Sequence, residues 1–330
     1  PVCAARPRGG EIMTGHGFTS QLAADLDDYI AFKNAMGFTG RSRVWYLKSF
    51  DAYCTRHEVK RLDRVAVEGW VSERLAVCGV YRSWMSYIRD FGRWVAIHRD
   101  PEAYVLDGTW KASFVRSHPY LLTGEQIDRF FTAAASVPAK SPWGWQSLAF
   151  FTLMHSCGLR TGEVRGLRPE DVDLDTGHVT IAEAKGHRSR CLPVTNDVTA
   201  VLRSCDAASR KRFPARRSFF VSATGAMVTA ASVGVIFARI WDQAGLPRPS
   251  GGAQPRPYDF RHHFAYANLE RWMADMVDVG AMLPYLQVYM GHAGIDSTYY
   301  YVHTSPDFMN AYTGITRHIS SRLLPEVGFA

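Results

Sequence analysis

Arg160 and Arg261, 101 positions apart, stand in segments whose residue types could hold and attack a phosphate. Arg160 lies in Cys157-Gly158-Leu159-Arg160-Thr161-Gly162-Glu163, and Arg261 in Tyr258-Asp259-Phe260-Arg261-His262-His263-Phe264-Ala265. Between them Lys185-Gly186 separates two strand-like runs, and beyond them Tyr289-Met290-Gly291-His292 is followed nine residues later by Tyr301. A guanidinium fork can hold two phosphate oxygens at once, and a phenol or an amine can act as nucleophile or acid where its surroundings allow. Each residue also has a plainer reading. An arginine at a turn is by default a surface residue, a turn lysine is by default solvated, and any one of Tyr299, Tyr300 and Tyr301 is by default a core or surface aromatic. His262, His263, His292 and His303 come without an H-x-x-x-H pair or a carboxylate facial arrangement, so no metal site is expected.

The elements that must carry these residues follow from apolar spacing. From Thr19 to His98 the pattern reads as four helices, with Leu22, Leu26, Tyr29 and Ile30, then Val44, Leu47, Phe50 and Cys54, then Val67, Trp70, Val71 and Leu75. The fourth, from about Val80 to His98, gathers Val80, Trp84, Tyr87, Ile88, Phe91, Trp94 and Val95 on one face. Its other face carries Arg82, Arg89 and Arg93, which could follow phosphates along a groove or could simply be solvated. Residues 99 to 118, with Asp100-Pro101 and Gly108, read as a linker. Thr123-Gly124-Glu125-Gln126 is a capping box that starts a helix running to about Ala135, and a second runs from about Trp145 to Ser156. Gly158 stops that helix and a short one containing Glu163 follows. His178–Ile181 and Arg190–Val194 form a hairpin, and helices are expected near 195–206, 229–243, 257–273, 281–290 and 307–323.

Length and composition agree with two folded domains. At 330 residues the chain exceeds the about 100–200 residues usual for one domain, and its 47% apolar and 21% charged residues are ordinary for a globular protein. A formal charge of +7 favours a polyanionic partner without requiring one, and Arg210-Lys211-Arg212 with Arg216-Arg217 could touch DNA or be solvated. The six scattered cysteines form no C-x-x-C pair, no apolar run approaches the roughly 18 residues of a membrane span, and no signal pattern opens the chain, so a cytoplasmic protein is expected.

Order and spacing of the four chemical segments together resemble the tyrosine recombinases, or phage integrases, over roughly residues 120 to 315. The segment at Arg160 resembles the family's first-arginine motif, Lys185 stands at the place of its lysine between two strands, and the segment at Arg261 is similar to its second-arginine box. Tyr289 to His292 looks like the glycine-histidine box, and Tyr301 lies at the family's separation for the nucleophile. The resemblance implies a mainly α fold: an N-terminal four-helix core-binding domain plus a mostly helical catalytic domain with a small β-sheet. The expected boundaries are 1–17 for a flexible end, 18–105, a linker at 106–118, and 119–330. It further implies metal-independent, cofactor-free DNA strand transfer, in which Tyr301 forms a 3′-phosphotyrosyl link while Arg160 and Arg261 hold the nonbridging oxygens. Lys185 would protonate the leaving 5′-oxygen, His292 would hydrogen-bond the phosphate, and Glu163 would orient Arg160 or a base group. Double-stranded DNA is the implied partner, gripped by both domains. A homotetramer across two DNA sites, monomer or weak oligomer when free, would be built by a helix from about 306 to 324 with Phe308, Met309 and Tyr312 docking on a neighbour.

Tyr258 departs from the pattern, because the family places a histidine there. A phenol, with a reference pKa of about 10, is a poorer base than imidazole near neutral pH. Proton removal from Tyr301 would then be shared with His262 or solvent, or the enzyme would be slow or inactive; an active enzyme is expected, since the other five residues are present. Two alternatives stay open: a type IB topoisomerase-like enzyme, and a catalytically impaired DNA-binding protein. With about 17 residues before the first helix, a simple recombinase of a mobile element or a Xer-like resolvase is expected rather than a large phage integrase. Tyr258 favours the mobile element of those two.

Overall fold

The structure is a computed structural model that describes residues 16–77, 84–110, 119–184 and 188–304. By contact the chain divides between positions 116 and 117 into two compact units. The first holds α1 (Ala23–Ala35), α2 (Arg41–Arg56), α3 (Arg64–Val77) and α4 (Met85–His98). Their i, i+3, i+4 apolar residues meet in one core of Leu26, Tyr29, Leu47, Phe50, Val67, Trp70, Trp84, Ile88, Phe91 and Val95. Asp51 anchors the entry into this core by accepting the backbone N–H groups of Thr19 (2.8 Å) and Ser20 (3.0 Å).

Three sequence expectations change here. His16, within the end expected to be flexible, donates its backbone N–H to Asp27 at 2.9 Å. Residues 99–110, read as linker, pack back on the bundle through buried Ala103 and Leu106 and half-buried Trp110. Arg89, read as facing phosphates or solvent, instead donates to the carbonyls of Leu106, Asp107 and Trp110 at 2.9–3.0 Å, which ties that segment down. Arg93 is exposed, while Arg82 and the expected start of the fourth helix lie outside the described residues.

The second unit opens with α5 (Gly124–Ala135), whose Thr123–Gln126 capping box forms as its sequence requires. Then come α6 (Ser147–Ser156), α7 (Thr161–Gly166), a single 3-10 turn at Pro169–Asp171 and three antiparallel strands in the order β1-β2-β3. These are β1 (Val172–Asp173), β2 (His178–Ala184) and β3 (Arg188–Pro193), with Val179 opposite Leu192 and Ile181 opposite Arg190. Alternation along β3 puts Arg190 on the face that buries Leu192, so a charged side chain points inward. The remaining helices are α8 (Asn196–Arg212), α9 (Ala230–Gln243), α10 (Asp259–Ala274), α11 (Val279–Met290) and α12 (Asp296–Thr304).

Helix α10 belongs to two cores. Its Phe260 packs with Phe130, Phe151 and Phe237, whereas its Ala265, Tyr266 and Leu269 pack with Leu283 and Met290 of α11 and with Tyr301 and Val302 of α12. Arg261 and His262 sit at that junction. Helix α12 was not among the expected elements, and the expected helix from about 307 lies outside the described residues.

Candidate active site

The first arginine is set by a backbone break. Helix α6 ends at Gly158, whose φ of +58° suits glycine, and a Cβ there would lie 2.5 Å from the Phe264 ring. Arg160 then caps α7, and Glu163, one turn on, accepts both its backbone N–H (2.9 Å) and its Nη1 (2.8 Å). Glu163 thus bonds to both the backbone and the side chain of Arg160.

Arg261, on the first turn of α10, is fully buried. Its Nη1 donates to the Gly158 carbonyl at 2.6 Å and its Nη2 to the Met290 carbonyl at 2.8 Å, while Nε has no hydrogen-bond partner. Arg160 reaches the same place, with Nη1 at 3.4 Å from the Met290 carbonyl and Nη2 at 3.0 Å from that of Gly291. Both guanidiniums thus rest on the C-terminal carbonyls of α11, where the helix dipole favours cations. Burial, and then the nearby Arg160 cation, push the Arg261 pKa below its ordinary value.

The next residue beyond that rim is His292. Its Nδ1 lies 2.8 Å from the hydroxyl of buried Thr298 on α12, and its ring stacks on that of Tyr301 with centroids 6.0 Å apart. Burial, then the cations Arg261, Arg160 and Arg190, lower its pKa to about 3, so the ring is neutral near pH 7. Tyr301 is 2% exposed and is flanked by His262 (5.5 Å) and Tyr266 (5.5 Å) as well. Burial raises its pKa, and the Arg261 guanidinium beside the phenol pulls it part of the way back.

Tyr258 sits at the N-cap of α10, 37% exposed, with its ring edge-on to His262 at 5.0 Å. His262 is buried, its Nδ1 lacks a hydrogen-bond partner, and burial followed by Arg256 and Arg261 lowers its pKa to about 4. Arg160, Glu163, Arg261, His262, His292 and Tyr301 are thus brought together, Tyr258 stands at the edge, and Lys185 lies outside the described residues. Among the described residues, no group of three or more His, Cys, Asp or Glu could hold a metal ion, and no helix is long and apolar enough to cross a membrane.

Sequence reasoning missed two residues. Arg190 donates Nη1 (3.2 Å) and Nη2 (2.8 Å) to the two oxygens of Glu163, and Nε (2.9 Å) to the Tyr289 carbonyl. The signal for it was available, since strand alternation places it in phase with Leu192. Thr298 had no such signal, because its partner is fixed by the packing of α12.

Comparison with known proteins supplies the frame for this geometry. A sequence model of the phage integrase family matches residues 121–307. The protein y4rB of Sinorhizobium fredii, which carries an integrase/recombinase designation, is 29% identical over 295 residues, spanning 86% of this chain and 93% of that protein. The tyrosine recombinase XerC of Xylella fastidiosa is 26% identical over 257 residues, spanning 77% of this chain and 80% of XerC. Among solved structures, the XerH site-specific recombinase in a pre-cleavage complex with its difH substrate shares the fold, with a TM-score of 0.59 at 19% identity, over 90% of this chain and 85% of that one.

Proposed function

The chain belongs to the phage integrase family, the tyrosine recombinases, and from that premise we propose that it is a site-specific DNA recombinase that breaks and rejoins strands through Tyr301. The observation that carries this reading is the shared acceptor of Arg160 and Arg261 at the Met290 carbonyl, with His292 and Tyr301 immediately beside it. Two forks that meet at one neutral oxygen can exchange it for the charged oxygens of a phosphodiester, which are stronger acceptors.

Attack joins the Tyr301 oxygen to phosphorus and breaks the bond from phosphorus to the 5′-oxygen of the next nucleotide. The strand is left on the enzyme as a 3′-phosphotyrosyl ester, and the phenol proton passes to a base or to solvent. Negative charge grows on the nonbridging oxygens as the bond forms, so Arg160 and Arg261 lower the barrier more than they tighten binding. The leaving 5′-oxygen takes its proton from Lys185. When the Thr298 hydroxyl donates to His292 Nδ1, the ring hydrogen sits on Nε2 and can donate to the phosphate. A 5′-hydroxyl attacking the phosphotyrosine reverses every step and reseals a strand.

Because Tyr301 and Arg261 are buried, DNA must draw the tyrosine out of its packing with His262, Tyr266 and His292 before attack. Four copies bring two duplex sites together in this reading. A duplex nicked just beside the cleavage point tests the assignment, since the short fragment diffuses away and the adduct is trapped. Wild-type protein should become covalently linked to DNA and Tyr301→Phe should not; a Tyr301→Phe protein that still forms the adduct refutes it.

A further inference from the structure

We infer that Arg190 is a positioning residue for strand cleavage, holding Glu163 so that Arg160 keeps its fork for the phosphate. The inference rests on the reading of Arg160 as a phosphate-holding cation.

The geometry is specific. The carboxylate of Glu163 accepts four donors: the backbone N–H and Nη1 of Arg160, and both terminal nitrogens of Arg190. Arg190 approaches end-on, through its two terminal nitrogens, and covers both oxygens, whereas Arg160 contributes a single guanidinium nitrogen to one of them. Both the Arg190 and the Glu163 side chains are more than nine-tenths buried. A buried carboxylate seeks full compensation from cations. Without Arg190 it would turn both oxygens onto Arg160, the one remaining partner, and would neutralise the charge the phosphate needs. Arg190 therefore leaves the Arg160 fork oriented toward the carbonyl rim of α11 rather than toward its own helix.

Two further contacts fix Arg190 against that rim. Its Nε donates to the Tyr289 carbonyl, so three arginines rest on three successive carbonyls, those of residues 289, 290 and 291. Gly291 lets it approach, since a Cβ there would lie 2.5 Å from Arg190 Nη1.

Single-turnover cleavage of the nicked duplex, at saturating protein, tests this with Arg190→Ala and Arg190→Lys, each in the wild-type and in the Arg160→Lys background. Lysine keeps the charge but cannot cover two carboxylate oxygens. Either change at position 190 should slow cleavage on the order of 10²-fold, as expected for a misplaced catalytic group. DNA affinity should stay within about twofold, because the change acts on the transition state rather than on uniform binding. In the Arg160→Lys background the same changes should add little, since the fork they protect is already gone. Should Arg190→Ala fail to fold, Arg190→Lys decides alone. Wild-type rates in the Arg190 variants, or an equal loss in both backgrounds, overturn the inference while leaving the Tyr301 adduct intact. Absence of any adduct from wild-type protein overturns the underlying reading of Arg160 and Tyr301 with it.

Discussion

Mild acid should unfold the second unit through histidines that it buries uncharged. His155 and His262 have pKa values lowered to about 4, and His292 to about 3, in each case with burial as the largest cause. In the unfolded chain each titrates near the ordinary value of about 6.5. Below that pH the unfolded state binds protons that the native state refuses, so stability falls as pH falls and levels off only near the folded values. Each histidine contributes a slope of up to about 1.4 kcal/mol per pH unit, and three together about 4 kcal/mol between about pH 6 and 5. That is a large part of the about 5–15 kcal/mol that holds a typical domain. Urea unfolding at closely spaced pH values measures the slope, and His155→Phe isolates one contribution. Phenylalanine keeps the ring packing against Phe131 and Phe260, centroids 5.4 and 6.0 Å away, and removes the titration. The first unit is identical in both proteins, so the difference between their slopes belongs to residue 155. A variant whose stability falls more gently, by about 1.4 kcal/mol per pH unit, supports the account; parallel curves would refute it.

Two other outcomes follow from the site. Thr298→Val removes the 2.8 Å contact to His292 and frees the ring, so single-turnover cleavage should drop about tenfold or more with little change in DNA affinity. Gly291→Ala meets both a φ of +64° and the Arg190 guanidinium, so thermal unfolding should show a loss of about 1–3 kcal/mol, and cleavage should slow with it.

Much of this protein was legible before folding because the signals are local. The Thr123–Gln126 box, the stop at Gly158 and the helical spacing of the first four helices each depend on residues within a turn or two of one another. The chemical segments were legible for a different reason: their order and spacing along the chain resemble those of one family, whose model matches residues 121–307. Helix α12 was not, since Thr298, Tyr299, Tyr300, Tyr301 and Val302 are poor helix formers by themselves. Its helical state comes from burying Tyr301 and Val302 against α10 and α11.

By itself, then, the sequence determined most of the helices, the hairpin, the family and the segments from which the candidate residues come. Tertiary structure alone decided the electrostatic wiring between them. Arg190 meets Glu163 across 27 residues and Tyr289 across 99, and Arg160 meets the Met290 carbonyl across 130. No periodicity spans such distances. Whether Arg89 faces solvent or clasps the carbonyls of residues 106, 107 and 110, and whether Arg261 is open or buried, depends on which surfaces exclude water, and that is settled only when the chain has packed.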